Sequence, residues 1–172
     1  MEAYKDYDLL ILQEPYIDTY GNTKATQDWR AAYPTSFLSQ SHPICSVMLI
    51  QSTLDTNYWM QLSIPGTGNI VAIQISTGIS KVTFFGLYID CLHSATLNLL
   101  NSSLATHRVT IGDGPLAHTI WCGDFNCHHP LWDEERNKHL FTAAALRDAE
   151  HLLGLVADHG MTMALPKDLP TL

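Results

Sequence analysis

Carboxylate and amide side chains that could hold a metal ion occur at the ends of two short apolar segments. Asp124 and Asn126 follow the segment "HTIWC", and Glu14 follows the segment "DLLILQ". Residues two apart in an extended chain project from the same face, so Asp124 and Asn126 would be presented together. Oxygen ligands of this kind bind hard cations such as Mg²⁺. Such a cation can polarise a phosphoryl oxygen, and a carboxylate that does not bind it can orient or deprotonate water.

Each of these residues also has an ordinary interpretation. A Glu that precedes Pro is usually a turn residue, and the pattern Asp-x-Asn after a strand is usually a loop cap. The same region offers zinc ligands, because Cys122, Cys127, His128 and His129 lie close together in the sequence. Adjacent histidines would point apart in an extended chain, however, and no second Cys/His pair is evident elsewhere. The sequence therefore favours a magnesium site over a structural zinc site.

The elements that would position these residues are short strands and two helices. Turn-forming residues separate successive apolar segments, which indicates a largely antiparallel run of strands. Leu97, Leu100 and Leu104 lie on one face of a helix. A second predicted helix occupies "FTAAALRDAEHLLGLVADHG", with Gly160 placed to end it. This order predicts an α/β sandwich; the strand segments are "DLLILQ", "ICSVMLIQ", "YWMQLSIP", "NIVAIQIST", "KVTFFGLYID" and "AHTIWCGDFN".

Composition limits the class of protein. The 172 residues are 46% hydrophobic and 15% charged, which predicts one packed domain and excludes a disordered chain. The apolar runs are too short to span a membrane, and no signal-peptide pattern occurs, so we expect an intracellular protein without a membrane partner. The net charge of −8 argues against tight nonspecific binding to nucleic acid but does not exclude a phosphate substrate. The four cysteines are expected to be reduced, buried thiols.

Two motifs resemble those of a known superfamily. "LLILQEP" followed by "GDFNCHHPLW" resembles the endonuclease/exonuclease/phosphatase superfamily, and the "HHPLW" continuation resembles the endonuclease domain encoded by LINE-type (non-LTR) retrotransposons. "GLYIDCLHSATLNLL" resembles the family segment in which a Tyr ends a strand and a Leu-rich helix follows. The resemblance covers nearly all of the chain. It implies a four-layer α/β/β/α sandwich of the DNase I type over residues 1–172, and hydrolysis of phosphate esters with Mg²⁺ or Mn²⁺.

The resemblance also implies roles for individual residues. Glu14 resembles the metal-binding Glu, and Asp124 resembles the Asp that orients or activates the attacking water. Asn126 resembles the Asn that contacts the scissile phosphate, and Tyr88 resembles the Tyr that supports the phosphate. The sequence "YID" departs from the usual family pattern after this Tyr and leaves Asp90 without a family role.

The two histidines of "HHPLW" allow two interpretations. His128 and His129 could contact substrate, since they follow Asn126 closely. Alternatively, the motif could fix a loop, with Leu131 and Trp132 packed inward. The second interpretation is favoured.

By this resemblance, we expect the chain to lack the family's first strand, which ends in a catalytic Asn, and its C-terminal strand, which bears Asp and often His. Asp158 and His159 spell "DH" but fall within the predicted final helix. We therefore expect an incomplete sandwich that binds magnesium and turns over weakly. Removing one preorganised stabiliser typically lowers the rate roughly 100- to 1000-fold.

The function that the resemblance implies is metal-dependent nicking of DNA by the endonuclease of a retroelement. Its expected partners are DNA and the reverse transcriptase domain of the same element, and its expected location is the nucleus if it acts on DNA. One alternative is a non-catalytic remnant or a domesticated interaction domain. Another is a phosphatase or ribonuclease of the same superfamily, which "HHPLW" disfavours.

Overall fold

The computed structural model describes residues 6–37, 42–90, 93–112 and 114–166. The chain divides into two compact units. The first consists of Met1–Tyr88 and Ser102–Asp124, and the second of Ile89–Asn101 and Phe125–Leu172. No helix among the described residues is long and apolar enough to cross a membrane.

The first unit contains two β-sheets. Strands β1 (Leu9–Gln13), β2 (Trp29–Ala32) and β3 (Ser46–Gln51) form an antiparallel sheet in the order β1-β3-β2. In the second sheet, β4 (Trp59–Leu62), β5 (Ile70–Ser76) and β6 (Lys81–Tyr88) form an antiparallel meander.

Strand β7 (Ala117–Asp124) joins β6 in the parallel sense and completes the order β4-β5-β6-β7. A parallel pair needs a long crossover, and this one contains helices α1 (Ala95–Thr106) and α2 (Arg108–Ile111). As a result, β6 and β7 end at the same edge of the sheet.

The core of the first unit lies between the two sheets. Met48 and Ile50 on β3 are fully buried and cluster with Val71 and Ile73 on β5. Each pair is spaced two residues apart, so each strand turns one apolar face inward. Burying an apolar side chain of this size contributes about 1.5–3 kcal/mol, so this cluster holds the sheets face to face.

The second unit contains helix α3 (Ala143–Asp158), preceded by a 3-10 helix at Glu135–Leu140. The hydroxyl of Thr142 accepts a hydrogen bond of 3.1 Å from the backbone nitrogen of Ala145 and so caps α3. The helix buries Ala149, Leu152 and Leu155. Gly160, in the left-handed region at φ 60°, follows the C-cap as the sequence predicted.

The predicted strands and helices are present. Leu97, Leu100 and Leu104 are buried on one face of α1, as their spacing predicted. Strand β2 was not predicted, because its four residues are too few to show an alternating pattern.

Candidate active site

Glu14 directly follows β1 and has an unusual backbone conformation. Its φ angle is 45°, in the left-handed region that side chains other than glycine rarely adopt. Such a conformation costs about 1–3 kcal/mol and persists only where surrounding contacts enforce it. One such contact is the hydrogen bond of 2.9 Å that the Glu14 backbone nitrogen donates to the carbonyl oxygen of Cys45. The side chain of Glu14 is exposed to solvent.

Asp124 is the last residue of β7, and the parallel register places it opposite Tyr88, the last residue of β6. Gly123 and Leu87 form the preceding pair. A Cβ atom added to Gly123 would lie 2.0 Å from the carbonyl oxygen of Leu87, and the φ angle of Gly123 is 139°. Glycine is therefore required here, because β6 and β7 approach each other too closely for any side chain.

Tyr88 connects the ends of the two sheets. Its hydroxyl donates a hydrogen bond of 2.8 Å to Glu14 Oε1. The pKa of Tyr88 is raised to about 12, chiefly because this bond stabilises the protonated phenol; burial and the nearby Glu14, Cys45 and Asp124 act in the same direction. The structure thus brings Glu14, Tyr88 and Asp124 together within the first unit; we call these three residues the acidic cluster.

The donor set of the acidic cluster suits magnesium or manganese. Glu14 and Asp124 supply two carboxylates on either side of the Tyr88 hydroxyl. Mg²⁺ is commonly held through one or two carboxylates, with water completing its coordination. Among the residues that the structure describes, no group of three or more His, Cys, Asp or Glu side chains is arranged to hold a metal. A cation here would therefore keep much of its water.

Asn126, His128 and His129 belong to the second unit and are described with it. Asn126 has a φ angle of 49°, which Asn tolerates better than most residues. The chain therefore adopts a left-handed conformation within both motifs, at Glu14 and at Asn126.

The "HHPLW" segment is closed by its own hydrogen bonds. The backbone nitrogen of His129 donates to Asp133 Oδ2 at 2.8 Å, and His129 Nδ1 accepts from the backbone nitrogen of Leu131 at 3.2 Å. Trp132 Nε1 donates to the carbonyl oxygen of Cys127 at 2.6 Å. His128 Nδ1 lies 3.4 Å from Asp133 Oδ2 without forming a hydrogen bond. These bonds favour a loop-fixing role for the motif.

Leu131 was expected to pack inward, and this expectation is wrong. Its side chain is 56% exposed, whereas Trp132 is half-buried. The hydrogen bond at Trp132 Nε1 holds the indole against the loop and leaves Leu131 at the tip. A role of His128 and His129 in substrate binding stays a prediction.

Asp90, which had no role by resemblance, pairs with His93. Its two carboxylate oxygens bind the backbone nitrogen of His93 at 3.1 Å and His93 Nδ1 at 2.8 Å. No sequence signal pointed to this pair. Both residues precede α1 in the chain.

The cysteines differ in state. Cys45 and Cys122 are free thiols, and burial raises the pKa of Cys122 to about 11, which makes that thiol inert at neutral pH. Burial and the Glu14 carboxylate both raise the pKa of Cys45. Cys127 is disulfide-bonded, so the expectation of a reduced thiol is wrong at this position. Cys91 lies outside the described residues.

Comparisons with known proteins bear on the family and the fold. A model of the endonuclease-reverse transcriptase family matches residues 82–172, just over half of the chain. The fold is similar to that of the endonuclease domain of TRAS1, a telomere-specific non-LTR retrotransposon, with a TM-score of 0.67 and 17% identity. That similarity covers 98% of this chain and 67% of the TRAS1 chain. No curated protein matches the sequence.

The fold comparison confirms the α/β sandwich of the DNase I type that the motifs implied. The family match includes Tyr88, Asp124, Asn126 and the "HHPLW" motif, and it confirms the resemblance to the retroelement branch. The chain belongs to the endonuclease-reverse transcriptase family.

Proposed function

We propose that the acidic cluster is a metal-dependent phosphodiesterase centre and that the domain nicks DNA for a retroelement. The observation that carries this proposal is the assembly at one edge of the first unit. Glu14 and Asp124 come from different sheets, and Tyr88 bonds to the first while lying opposite the second. The family membership supports an endonuclease, and the donor set supports magnesium or manganese as the cofactor.

Glu14 is the residue that would hold the cation. Among the described residues, Tyr88 engages Oε1 of Glu14, which leaves Oε2 available as a ligand. Asp124 is exposed at the end of β7, where it can orient the attacking water. A bound cation would neutralise charge on the phosphate and stabilise the leaving oxygen.

Tyr88 supplies a hydroxyl that remains a donor at neutral pH. Because its pKa is about 12, the phenol stays protonated under any physiological condition. It can therefore donate to a phosphate oxygen when the substrate displaces its bond to Glu14. The contact of Asn126 with the phosphate, which the resemblance implies, stays a prediction.

The substrate in this proposal is DNA, and the reverse transcriptase domain of the same element is the proposed partner. The description of the family, which couples an endonuclease with a reverse transcriptase, supports both. A domain that nicks chromosomal DNA would act in the nucleus.

Turnover by this chain is expected to be slow. The acidic cluster consists of two carboxylates and a phenol, and none of the three can supply positive charge to the phosphate. Loss of one such stabiliser typically lowers the rate about 100- to 1000-fold. This observation favours a non-catalytic, cation-binding domain as the second candidate function.

The test is a plasmid-nicking assay with protein in excess over DNA and with Mg²⁺ or Mn²⁺. We expect slow nicking that requires the cation and that falls about 100-fold or more in Asp124→Asn and Glu14→Gln. Glu150→Gln, which neutralises an exposed acid on α3, serves as the matched control and should nick like the parent.

Equal nicking by Asp124→Asn and the parent would show that the activity does not belong to this cluster. Cation binding that depends on Glu14 and Asp124, without any nicking, would establish the second candidate instead.

A further inference from the structure

We propose that Gln13 is a positioning residue that sets the spacing between Glu14 and Asp124 across the two sheets. The inference rests on the proposed function of the acidic cluster. The sequence motifs identified Glu14 as a candidate site residue but not its neighbour Gln13, because the Gln side chain has no catalytic chemistry of its own.

The side-chain amide of Gln13 joins backbone atoms of two other strands. In the orientation that satisfies both ends of the amide, its nitrogen donates to the carbonyl oxygens of Cys45 and Leu87, at 3.2 Å each. The other end of the amide lies 3.3 Å from Ser46 Oγ. The carbonyl oxygen of Cys45 also accepts the backbone nitrogen of Glu14, so both contacts fix the end of β1 against β3.

The same amide borders β7. A Cβ atom added to Gly123 would lie 2.9 Å from it. The amide thus lies beside Leu87 and Gly123 in the second sheet. Each of these residues directly precedes a member of the acidic cluster: Tyr88 follows Leu87, and Asp124 follows Gly123. A displacement of the Gln13 amide would therefore be transmitted to Glu14, Tyr88 and Asp124 together.

A directional link is needed at this place because of how the sheets are held. Within the second sheet, the ladder between β6 and β7 fixes Tyr88 relative to Asp124. Glu14 belongs to the other sheet, and the apolar packing between the sheets is not directional. Hydrogen bonds between the sheets also occur away from β1, such as the bond from the Gln61 amide to the Tyr33 carbonyl oxygen. The hydrogen bonds of Gln13 to Leu87 and of Tyr88 to Glu14 tie the end of β1 to the second sheet.

Gln13→Met tests this role, since Met has a similar length but cannot donate to the two carbonyl oxygens. The assay is Mn²⁺ affinity, measured by the electron paramagnetic resonance signal of the free ion. We expect affinity to fall about 10- to 100-fold, the usual effect of removing a group that orients a metal ligand.

Gln61→Met is the matched control. The Gln61 amide likewise donates to a backbone carbonyl, that of Tyr33, but it lies on β4, at the edge of the second sheet opposite β7. This variant should bind Mn²⁺ like the parent. Ser46→Ala removes the hydroxyl at the other end of the Gln13 amide and should weaken binding in the same direction by a smaller factor; it decides the question if Gln13→Met does not fold.

A second readout needs no metal. At neutral pH, nuclear magnetic resonance of labelled tyrosine reports the environment of the Tyr88 ring, which the hydrogen bond to Glu14 fixes in the parent. In Gln13→Met, a displaced Glu14 would release the phenol, and the Tyr88 ring resonance should shift, whereas it should stay in place in Gln61→Met.

The outcomes separate the two proposals. If the parent binds no Mn²⁺, the proposed metal centre fails, and the Tyr88 ring resonance alone decides the role of Gln13. If Gln13→Met leaves both the Tyr88 resonance and Mn²⁺ affinity unchanged, Gln13 does not position the cluster and the inference is overturned.

Discussion

Replacement of Gly123 by Ala should destabilise the first unit more than a glycine substitution normally does. The new Cβ would lie 2.0 Å from the Leu87 carbonyl oxygen, a backbone atom that cannot rotate away, and 2.9 Å from the Gln13 amide. Overpacking of this kind costs about 1–3 kcal/mol. The left-handed φ of 139° adds a backbone penalty of about 1–3 kcal/mol. The total is roughly 2–6 kcal/mol, at the upper end of single-residue effects.

Gly78→Ala isolates the steric part of this effect. Gly78 also has a positive φ, 86°, but an added Cβ there would meet nothing within 4 Å. Both variants should therefore suffer the backbone penalty, whereas only Gly123→Ala suffers the clash. In a chain of this length, 1 kcal/mol shifts Tm by about 2–4 °C, so Gly123→Ala should melt roughly 2–12 °C below Gly78→Ala.

Thermal unfolding of both variants, followed by circular dichroism, measures this difference. Mn²⁺ affinity should fall only in Gly123→Ala, since the clash pushes Asp124 away from Tyr88. Equal Tm values for the two variants would refute the reasoning, because they would mean that β6 and β7 do not approach as closely as the register requires.

Three further substitutions have defined outcomes. The folded pKa of Tyr88, about 12, lies above its ordinary value, so its contribution to stability is fully present below about pH 10 and is lost as pH rises towards 12. Tyr88→Phe should remove this pH dependence of the unfolding free energy, measured by urea titration. If the stability of Tyr88→Phe changed with pH as that of the parent does, the assigned bond to Glu14 would be contradicted. Thr142→Ala should lower the free energy of unfolding by about 0.5–2 kcal/mol, because it removes the cap on the Ala145 nitrogen. Thr142→Ser keeps a hydroxyl and should retain most of the stability that the cap provides. Equal stability of the two variants would argue against the cap. Leu100→Ala, at a fully buried position of α1, should cost about 2–5 kcal/mol in the same assay, and a smaller effect would show that α1 packs more loosely than its burial indicates.

The strands that carry Glu14 and Asp124 could be predicted because their signals are local. Each is a short apolar run that ends at a polar residue, and such runs can be recognised without knowing what they pack against. The face of α1 was predicted for the same reason, from the spacing of its three leucines.

The relative position of Glu14 and Asp124 could not be derived from periodicity. It depends on the parallel pairing of β6 with β7 and on packing between the sheets, and neither leaves a local pattern. The resemblance to a family supplied a role for each residue, and the structure supplies the contacts through Tyr88.

Gln13 shows why some site residues escape sequence reasoning. Its partners are backbone carbonyl oxygens, at Cys45 and Leu87, and every residue has such an oxygen. Leu131 was misplaced because an apolar residue was assumed to be buried, although a loop closed by its own hydrogen bonds can leave one at its tip. The disulfide at Cys127 depends on which residues meet in space, and the sequence does not give this.

The parallel pairing of β6 with β7 has a consequence for the order of folding. The hydrogen bond between Tyr88 and Glu14 spans 74 positions of the chain, and the register of Tyr88 with Asp124 requires the crossover through α1 and α2 to close first. Contacts of such separation form after the local hairpins β4-β5 and β5-β6, because the entropy of loop closure must be overcome before they are made. The acidic cluster should therefore form late in the folding of the first unit, and partly folded chains should lack it.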